Sequence, residues 1–282
     1  MVMVQTQPAH AAIHPAAVQA FDAVASQFDE RFGAWRSVAA QRRAVRRELL
    51  RTFPQNAHLL ELGGGTGEDA LFLAAHGRRV LVTDGAPGML TIVEKKAQAA
   101  GLTQYVRTRP VVLEELEAFA GEGHQFAGAF SNFAALNCLS DLAPCARALA
   151  RLLPADTHAL LVLFGPFCPG EIFVQLMRGD PRAAVRRFAR SAPARLGGRN
   201  FWVHYPAPHT VARAFAPWFR LVRTRGIGVF VPPSATEPLI SRFPRVLDGL
   251  EALDRLAAAP LSWLGDHVLL DLQRRSGAPP SP

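Results

Sequence analysis

Short, continuously apolar runs alternate along this chain with longer stretches in which apolar residues recur at helical spacing. Continuous runs predict strands covered on both faces, because each position of such a strand is buried. The predicted strands are 57–62, 79–83, a segment within 104–112, 126–131, 159–164, 219–231 and 264–273. The predicted helices are 68–76, 87–100, a short one from 113, 141–153, 207–216 and 245–258. This alternation predicts a doubly wound α/β sheet.

Two regions depart from the alternation. Phe21, Val24, Phe28 and Phe32 lie near helical spacing, which predicts two helices before the first strand. Residues 165–205 predict an insertion with one or two helices, from which the core resumes at a strand over 201–205. The predicted units are a mobile leader 1–15, one domain 16–275 and a disordered tail 276–282. Within the domain we expect a helical cap 16–52, a core 53–165, a helical lid 166–205 and a sheet completion 206–275.

The segment after the first strand carries the strongest chemical signal. The strand ends at Glu61 and is followed by Gly63, Gly65 and Gly67, and the second strand ends at Asp84. Glycines let the backbone approach a ligand closely, and a helix N-terminus offers free N–H groups. An acid about 20 residues further on can accept two hydrogen bonds from a ribose diol. This order predicts an adenosine-type cofactor site.

The pattern E-x-G-x-G-x-G, with Asp84 inside TDGAPGML, resembles class I S-adenosylmethionine-dependent methyltransferases. The segment after Asp84 is similar to that of the UbiE-like small-molecule group. Residues 21–32 resemble the helical lead-in of that group, with Phe28-Asp29 where Tyr-Asp is frequent. The resemblance covers residues 20–165. It implies a Rossmann-like, seven-stranded, mostly parallel sheet whose last two strands form an antiparallel hairpin, with S-adenosyl-L-methionine as cofactor and S-adenosyl-L-homocysteine as product.

The resemblance also implies roles for individual residues. The three glycines would line the methionine end, Asp84 with Gly85 would bind the ribose, and Glu61 would orient the loop or a water beside the cofactor amine. The remaining cofactor candidates are Met89, Leu113 and Glu114 near the adenine, Asn132 and Phe133 near the methyl group, and Arg46 with Arg42 near the cofactor carboxylate. Structural explanations stay open for these residues. The glycines can form an ordinary tight turn, Met89 can pack in the core against its helix, and the arginines can lie on a solvent-exposed helix face.

A nicotinamide cofactor is the competing interpretation. The segment from Gly65 to Ala70 also satisfies the looser dinucleotide pattern G-x-G-x-x-A. Glu61 before the loop and the Pro-Gly-Met-Leu helix start after Asp84 favour the methyltransferase.

Catalytic and acceptor-binding residues are harder to predict from the sequence than the cofactor residues are. His204 and Tyr205 are the candidates for removing an acceptor proton, against a structural role for this pair, and His209 and His267 are weaker. Apolar residues of the insertion would wall the acceptor pocket or pack the lid onto the sheet: Ile172, Phe173, Leu176, Met177 and Phe188. Arg182, Arg186 and Arg190 follow i, i+4, i+8, so one helix face would be cationic and attract an anionic acceptor unless remote acids compensate.

Composition limits the classes of partner that we expect the protein to bind. The net charge of +8 favours anionic partners, but basic residues interleaved with stacking aromatics are missing. The fourth-strand segment from Ser131 to Ala134 lacks the Asn-Pro-Pro-Tyr motif of enzymes that methylate base amines. We therefore expect no nucleic-acid partner. Cys138, Cys145 and Cys168 form no CxxC pair and no metal-ligand spacing, which predicts buried free thiols and no metal.

The N-terminal segment has neither a basic start nor a long apolar core, so we expect no secretory signal, no membrane span and a cytoplasmic location. The predicted function is methyl transfer to a small, largely apolar metabolite: an aromatic, polyketide, isoprenoid-like or other natural-product acceptor that can be anionic. The alternatives are a nicotinamide-dependent oxidoreductase and a non-catalytic assembly protein. A homodimer is compatible with the sequence.

Overall fold

The computed structural model describes residues 15–133 and 135–277. Almost all of the predicted leader 1–15 and residues 278–282 of the predicted tail lie outside the described residues. No described helix combines the length and the apolar character needed to cross a lipid bilayer.

Seven of the nine described strands form one sheet, as the sequence predicts. The strands are β1 His58–Leu62, β2 Arg79–Asp84, β3 Val106–Pro110, β4 Gly128–Ser131, β5 His158–Phe164, β6 Ser191–Leu196, β7 Arg199–His204, β8 Phe219–Ile227 and β9 His267–Arg274. The sheet order is β3-β2-β1-β4-β5-β9-β8. Strands β1 to β5 are parallel, and β9 runs antiparallel to both β5 and β8. The predicted Rossmann-like, mostly parallel sheet is confirmed.

Helices cover both faces of this sheet. The described α-helices are α1 Ala16–Phe32, α2 Arg36–Thr52, α3 Glu68–Ala75, α4 Pro87–Ala99, α5 Leu116–Ala120, α6 Ala143–Leu152, α7 Pro169–Met177, α8 Pro181–Val185, α9 Pro208–Phe215 and α10 Pro244–Ala257. Side chains of α2, α3 and α4 pack with Leu59 in one core, and those of α5, α6 and α9 pack with Leu60 in the other. Apolar strand positions are therefore buried on both sides, which explains the continuous runs in the sequence.

The insertion after β5 is only partly helical, so the predicted lid is corrected. It begins with α7 and α8 and ends in an antiparallel pair, β6 and β7, that forms a separate two-stranded sheet. Gly197 and Gly198, with φ of +55° and +77°, form the turn between these strands. Two successive glycines permit the positive φ angles that a tight hairpin turn needs. The segment 201–205 thus belongs to this hairpin and does not return the chain to the core sheet.

The predicted cationic helix face is also wrong. Helix α8 ends at Val185, and Arg190 has a left-handed φ of +62°, so the three arginines share no helix. Arg186 Nε donates to Glu171 Oε1 at 2.7 Å. The compensating acids are supplied from elsewhere in the fold.

A buried ion cluster fastens the insertion to the sheet. Arg187 is 5% exposed and pairs with Glu171 and with Asp266, whose Oδ1 accepts from Nη2 at 2.6 Å. Asp266 directly precedes β9. Removing one partner of a buried ion pair leaves an uncompensated charge in a poorly solvated place.

We predict that Arg187→Met lowers the free energy of unfolding by about 3–5 kcal/mol, because two buried acids lose their main partner. Arg186→Met is the matched control, since this arginine pairs with the same Glu171 but is 43% exposed. The control loss should stay below about 1 kcal/mol. Urea unfolding followed by fluorescence measures both, and equal losses would contradict the role of the buried cluster.

Candidate cofactor and acceptor site

A cavity of about 440 Å³ lies at the carboxyl ends of β1, β2, β4 and β5. Ligands of open α/β sheets bind at this edge. Two elements outside the core sheet complete the cavity: helix α1 and the β6–β7 hairpin, whose Leu196 and Phe201 line it. The ring of Phe201 lies 5.8 Å from that of Phe21 in α1, so the two elements meet over the site.

The glycine loop after β1 forms one wall of this cavity. Gly63, Gly65 and Gly67 all have positive φ, at 62°, 54° and 78°. A Cβ on Gly63 would stand 2.2 Å from Ala135 Cβ, so this loop tolerates no side chain there. Gly63 and Gly65 line the cavity. Gly67 does not, because it begins α3 and lies against Val93 of α4.

Asp84 fixes the shape of this loop. Its Oδ2 accepts from the Gly65 N–H at 2.8 Å, and its Oδ1 accepts from the Ala86 N–H at 2.9 Å. Burial raises the pKa of the Asp84 carboxyl, and the two backbone donors oppose that shift. A carboxylate oxygen has more than one lone pair, so Asp84 can hold the loop and still accept from a ligand hydroxyl in the cavity.

Glu61 is a buried acid at the site with one oxygen left unpaired by the part of the chain that the structure describes. Its side chain lines the cavity, the residue is 2% exposed, and Oε2 has no hydrogen-bond partner among the described residues. Burial, followed by the nearby Asp69 charge, raises the pKa of the Glu61 carboxyl well above its ordinary value. A ligand that brings a cation or donor group to Oε2 would relieve this cost.

Asp69 is a cavity residue that the sequence reasoning missed. It lies in the first turn of α3, is 3% exposed, and accepts from Arg46 Nε and Asn132 Nδ2, each at 2.7 Å. Arg42 Nη1 lies 3.5 Å from its second oxygen. The sequence could have identified Asp69, because it places an acid just after the glycine loop, where the N–H groups of a helix are free.

The predicted role of Arg46 needs correction. Its guanidinium is held by Asp69 and by the Glu68 carbonyl and lies over the ring of Phe72, and it is not among the cavity-lining groups. Arg42 does line the cavity, with its guanidinium 4.9 Å from the centre of the Phe133 ring.

The remaining predicted cofactor residues do meet at the cavity. These are Gly85, Met89, Leu113, Glu114, Asn132 and Phe133. Helix α1 adds contacts that the sequence did not reveal, since a Cβ on Gly85 would stand 2.7 Å from Val18. Asp29 Oδ1 accepts from Thr66 Oγ1 at 2.7 Å, which joins α1 to the glycine loop beside the unusual Phe28-Asp29 pair.

The structure does not bring His204 or Tyr205 to the cavity wall. The His204 carbonyl accepts from Asn137 Nδ2 at 2.5 Å. Tyr205 is 4% exposed, packs on Phe164 and lies beneath the Arg187 guanidinium, and burial raises its pKa. The structural reading of this pair agrees with the contacts, and the catalytic reading does not.

The apolar residues of the insertion are also not in the cavity. Phe173, Met177 and Phe188 are 65%, 72% and 54% exposed. The aromatic wall comes instead from residues of the lead-in helices, the strand ends and the hairpin: Phe21, Phe28, Phe32, Trp35, Phe133, Phe164 and Phe201. Helical spacing alone could not tell which apolar face would meet this cavity.

The three cysteines are free thiols, as predicted, and burial raises each pKa to about 12. Among the described residues, Cys168, Glu171 and Asp266 place metal-ligand atoms within 4.8 Å of one another. The Arg187 guanidinium pairs with both carboxylates, so the protein itself supplies the cation of this cluster.

Comparison with known families finds similarity in the part of the chain that carries the glycine loop. A family model described as a methyltransferase domain matches residues 59–156, which include the glycine loop, Asp84 and Asn132. The matched segment covers less than half of the chain, and it agrees with the predicted class I S-adenosylmethionine-dependent methyltransferase core. Residues 59–156 are therefore similar to a domain of enzymes that transfer methyl groups. No curated protein sequence matches it.

Solved structures share the fold of this chain at low sequence identity. The CcbJ methyltransferase from Streptomyces caelestis is 17% identical with a TM-score of 0.59, covering 91% of this chain and 98% of its own. The 1,6-didemethyltoxoflavin-N1-methyltransferase of Burkholderia thailandensis, solved with bound 1,6-didemethyltoxoflavin and S-adenosylhomocysteine, is 19% identical with a TM-score of 0.53, covering 98% of this chain and 94% of its own. The cyclase SpnF is 15% identical with a TM-score of 0.60, covering 94% and 99%.

We predict that Glu61→Gln gains stability relative to the wild type as pH rises from 5 to 8. The folded Glu61 keeps its proton above its ordinary pKa of 4.5, whereas the unfolded side chain loses it. The unfolded state then binds fewer protons, so this group lowers the free energy of unfolding as pH rises. Glutamine does not titrate and removes that slope.

Urea unfolding at several pH values measures the difference between the two proteins. Glu115→Gln is the control, since Glu115 is an exposed acid after β3 and is not at the cavity. A difference between Glu61→Gln and the wild type that stays constant from pH 5 to 8 would show that Glu61 is ionised in the folded protein.

Proposed function

We propose that this protein transfers the methyl group of S-adenosylmethionine to a small, largely apolar acceptor, as members of the UbiE-like small-molecule group do. The observation that carries the proposal is the distribution of polarity in one cavity. Unpartnered Glu61 and the bare backbone of Gly63 to Gly65 form one part, Asp84 another, and aromatic rings form the rest.

The residues present fit this cofactor. The unsatisfied Oε2 of Glu61 suits an ammonium group or a water that it holds, and Asp84 suits a pair of ribose hydroxyls. Met89 and Leu113 offer apolar contact for a base, with Glu114 beside them. Arg42, rather than Arg46, is the cation within reach of a cofactor carboxylate.

When bound, the cofactor supplies a methyl group on an activated sulfonium. The protein then needs chiefly to hold the acceptor in line with that methyl group and to exclude water, because orientation can account for much of the acceleration. The aromatic wall holds the acceptor, and the cover formed by α1 and the hairpin excludes water. Aromatic, polyketide, isoprenoid-like and other natural-product acceptors all suit such a wall.

The nicotinamide alternative is disfavoured by charge. A dinucleotide places its pyrophosphate against the glycine loop and the following helix N-terminus. Here the buried acids Glu61 and Asp69 line the cavity at that place. A pyrophosphate would bring further negative charge next to these acids, whereas an ammonium group would stabilise the ionised form of Glu61.

A non-catalytic or differently catalytic role remains the second candidate, because SpnF shares the fold and is named as a cyclase. Incubation with S-adenosylmethionine and a panel of aromatic and polyketide acceptors separates the possibilities. Formation of a methylated product together with an equal molar amount of S-adenosylhomocysteine supports the proposal. Binding of the cofactor without any methylated product across the panel would favour the second candidate.

We predict that Asp84→Asn weakens S-adenosylhomocysteine binding by about ten- to a hundredfold, the range expected when a hydrogen bond to a charged group is lost. Calorimetry on folded protein measures this, with Glu115→Asn as the control and NAD as the competing ligand. Undiminished affinity in Asp84→Asn, or tighter binding of NAD than of S-adenosylhomocysteine, would contradict the proposal.

A further inference from the structure

His267 lies at the edge of the sheet that borders the cavity, although its strand runs antiparallel to its neighbours. It is the first residue of β9, which runs antiparallel to β5, and it pairs in register with Phe164, the last residue of β5. The N-terminal end of β9 therefore lies where the parallel strands have their carboxyl ends. The His267 side chain lines the same cavity as Glu61 and Asp84.

The imidazole lies among aromatic rings. It stacks on Phe164 with ring centres 4.2 Å apart and planes at 24°, and it meets Phe133 edge-on at 5.2 Å. The residue is 3% exposed. Neither ring nitrogen has a hydrogen-bond partner among the described residues.

The charged neighbours of this ring are already engaged with each other. Asp266 Oδ2 lies 3.6 Å from His267 Nδ1, beyond hydrogen-bond range, and accepts instead from Gln41 Nε2 at 3.3 Å. The other oxygen of Asp266 accepts from Arg187. Burial lowers the pKa of His267 to about 4, so the ring is neutral at pH 7 and keeps one nitrogen with a free lone pair.

An imidazole that is buried without partners is costly, and the cost is removed when a ligand provides the partner. Neither nitrogen is exposed to solvent in this structure. The Phe133 ring touches the imidazole from the loop after β4, and its φ of +50° is a conformation that non-glycine residues seldom adopt. Phe133 and His267 both line the cavity, so a ligand that occupies the cavity lies beside both rings.

We propose that His267 binds the acceptor, and that the acceptor is an aromatic ring carrying a hydrogen on the heteroatom to be methylated. This inference rests on the proposed methyl transfer and names its substrate class. The free ring nitrogen accepts the hydrogen bond from that heteroatom, and the aromatic wall holds the ring.

The step balances without a further reactant. The bond between heteroatom and methyl carbon forms as the carbon–sulfur bond breaks, the sulfur keeps that electron pair, and the proton of the heteroatom passes to His267. A heteroatom that gains a carbon substituent becomes strongly acidic, so a weakly basic imidazole suffices to take its proton. The proton leaves to solvent with the product.

The test compares two probes on protein saturated with S-adenosylhomocysteine: 2-naphthol, which can donate a hydrogen bond, and 2-methoxynaphthalene, which cannot. We expect the wild type to bind 2-naphthol about five- to tenfold more tightly, the range for one hydrogen bond. His267→Phe keeps the stack on Phe164 and should abolish the preference. His267→Gln retains an acceptor atom and should keep part of it.

Calorimetry of S-adenosylhomocysteine on each variant is the internal control. Unchanged affinity there, with no preference for 2-naphthol in the wild type or an undiminished preference in His267→Phe, overturns this inference and leaves the proposed methyl transfer standing. Failure of the wild type to bind S-adenosylhomocysteine overturns both. A purely structural role for His267 would alter stability but would leave the ratio of the two probe affinities unchanged.

Discussion

The site depends on a cluster of buried acidic side chains at one edge of the sheet. Glu61, Asp69 and Asp84 surround a single glycine loop. Glu61 and Asp84 lie near the ends of β1 and β2, and Asp69 lies at the start of α3. Asp69 is neutralised by arginines from α2, and Asp84 is satisfied by backbone N–H groups. Glu61 is left without a partner for one oxygen among the described residues. Such an arrangement is unfavourable alone and becomes favourable when a ligand presents a cation to one end and hydroxyls to the other.

Much of the core could be predicted because its signals are local. Continuous apolar runs are enough to identify the strands, and the three glycines with Asp84 are enough to indicate the edge of the sheet at which the cavity lies. The insertion could not be predicted in the same way. Arginines at i, i+4 and i+8 fit a helix, yet Asp266, about 80 positions away in the sequence, is what holds Arg187 and shapes this region. Long-range ion pairs leave no periodic trace.

His267 was only a weak candidate from the sequence, for a topological reason. The rule that ligands lie at the carboxyl ends of strands directs attention to Asn132 and Phe133, and it holds for them. In an antiparallel strand the same edge receives the first residue, so His267 enters the site from a position that the rule passes over. His204 and Tyr205 looked suitable because their strand was assigned to the core sheet, whereas it forms a hairpin that covers the cavity with Phe201.

The most direct measurement is a crystal structure of the protein with S-adenosylhomocysteine. The account predicts the amine of the ligand next to Glu61, directly or through one water, and both ribose hydroxyls on the carboxylate of Asp84, with the sulfur facing the aromatic part of the cavity. A ligand bound in the opposite orientation, or bound away from the glycine loop, would contradict it.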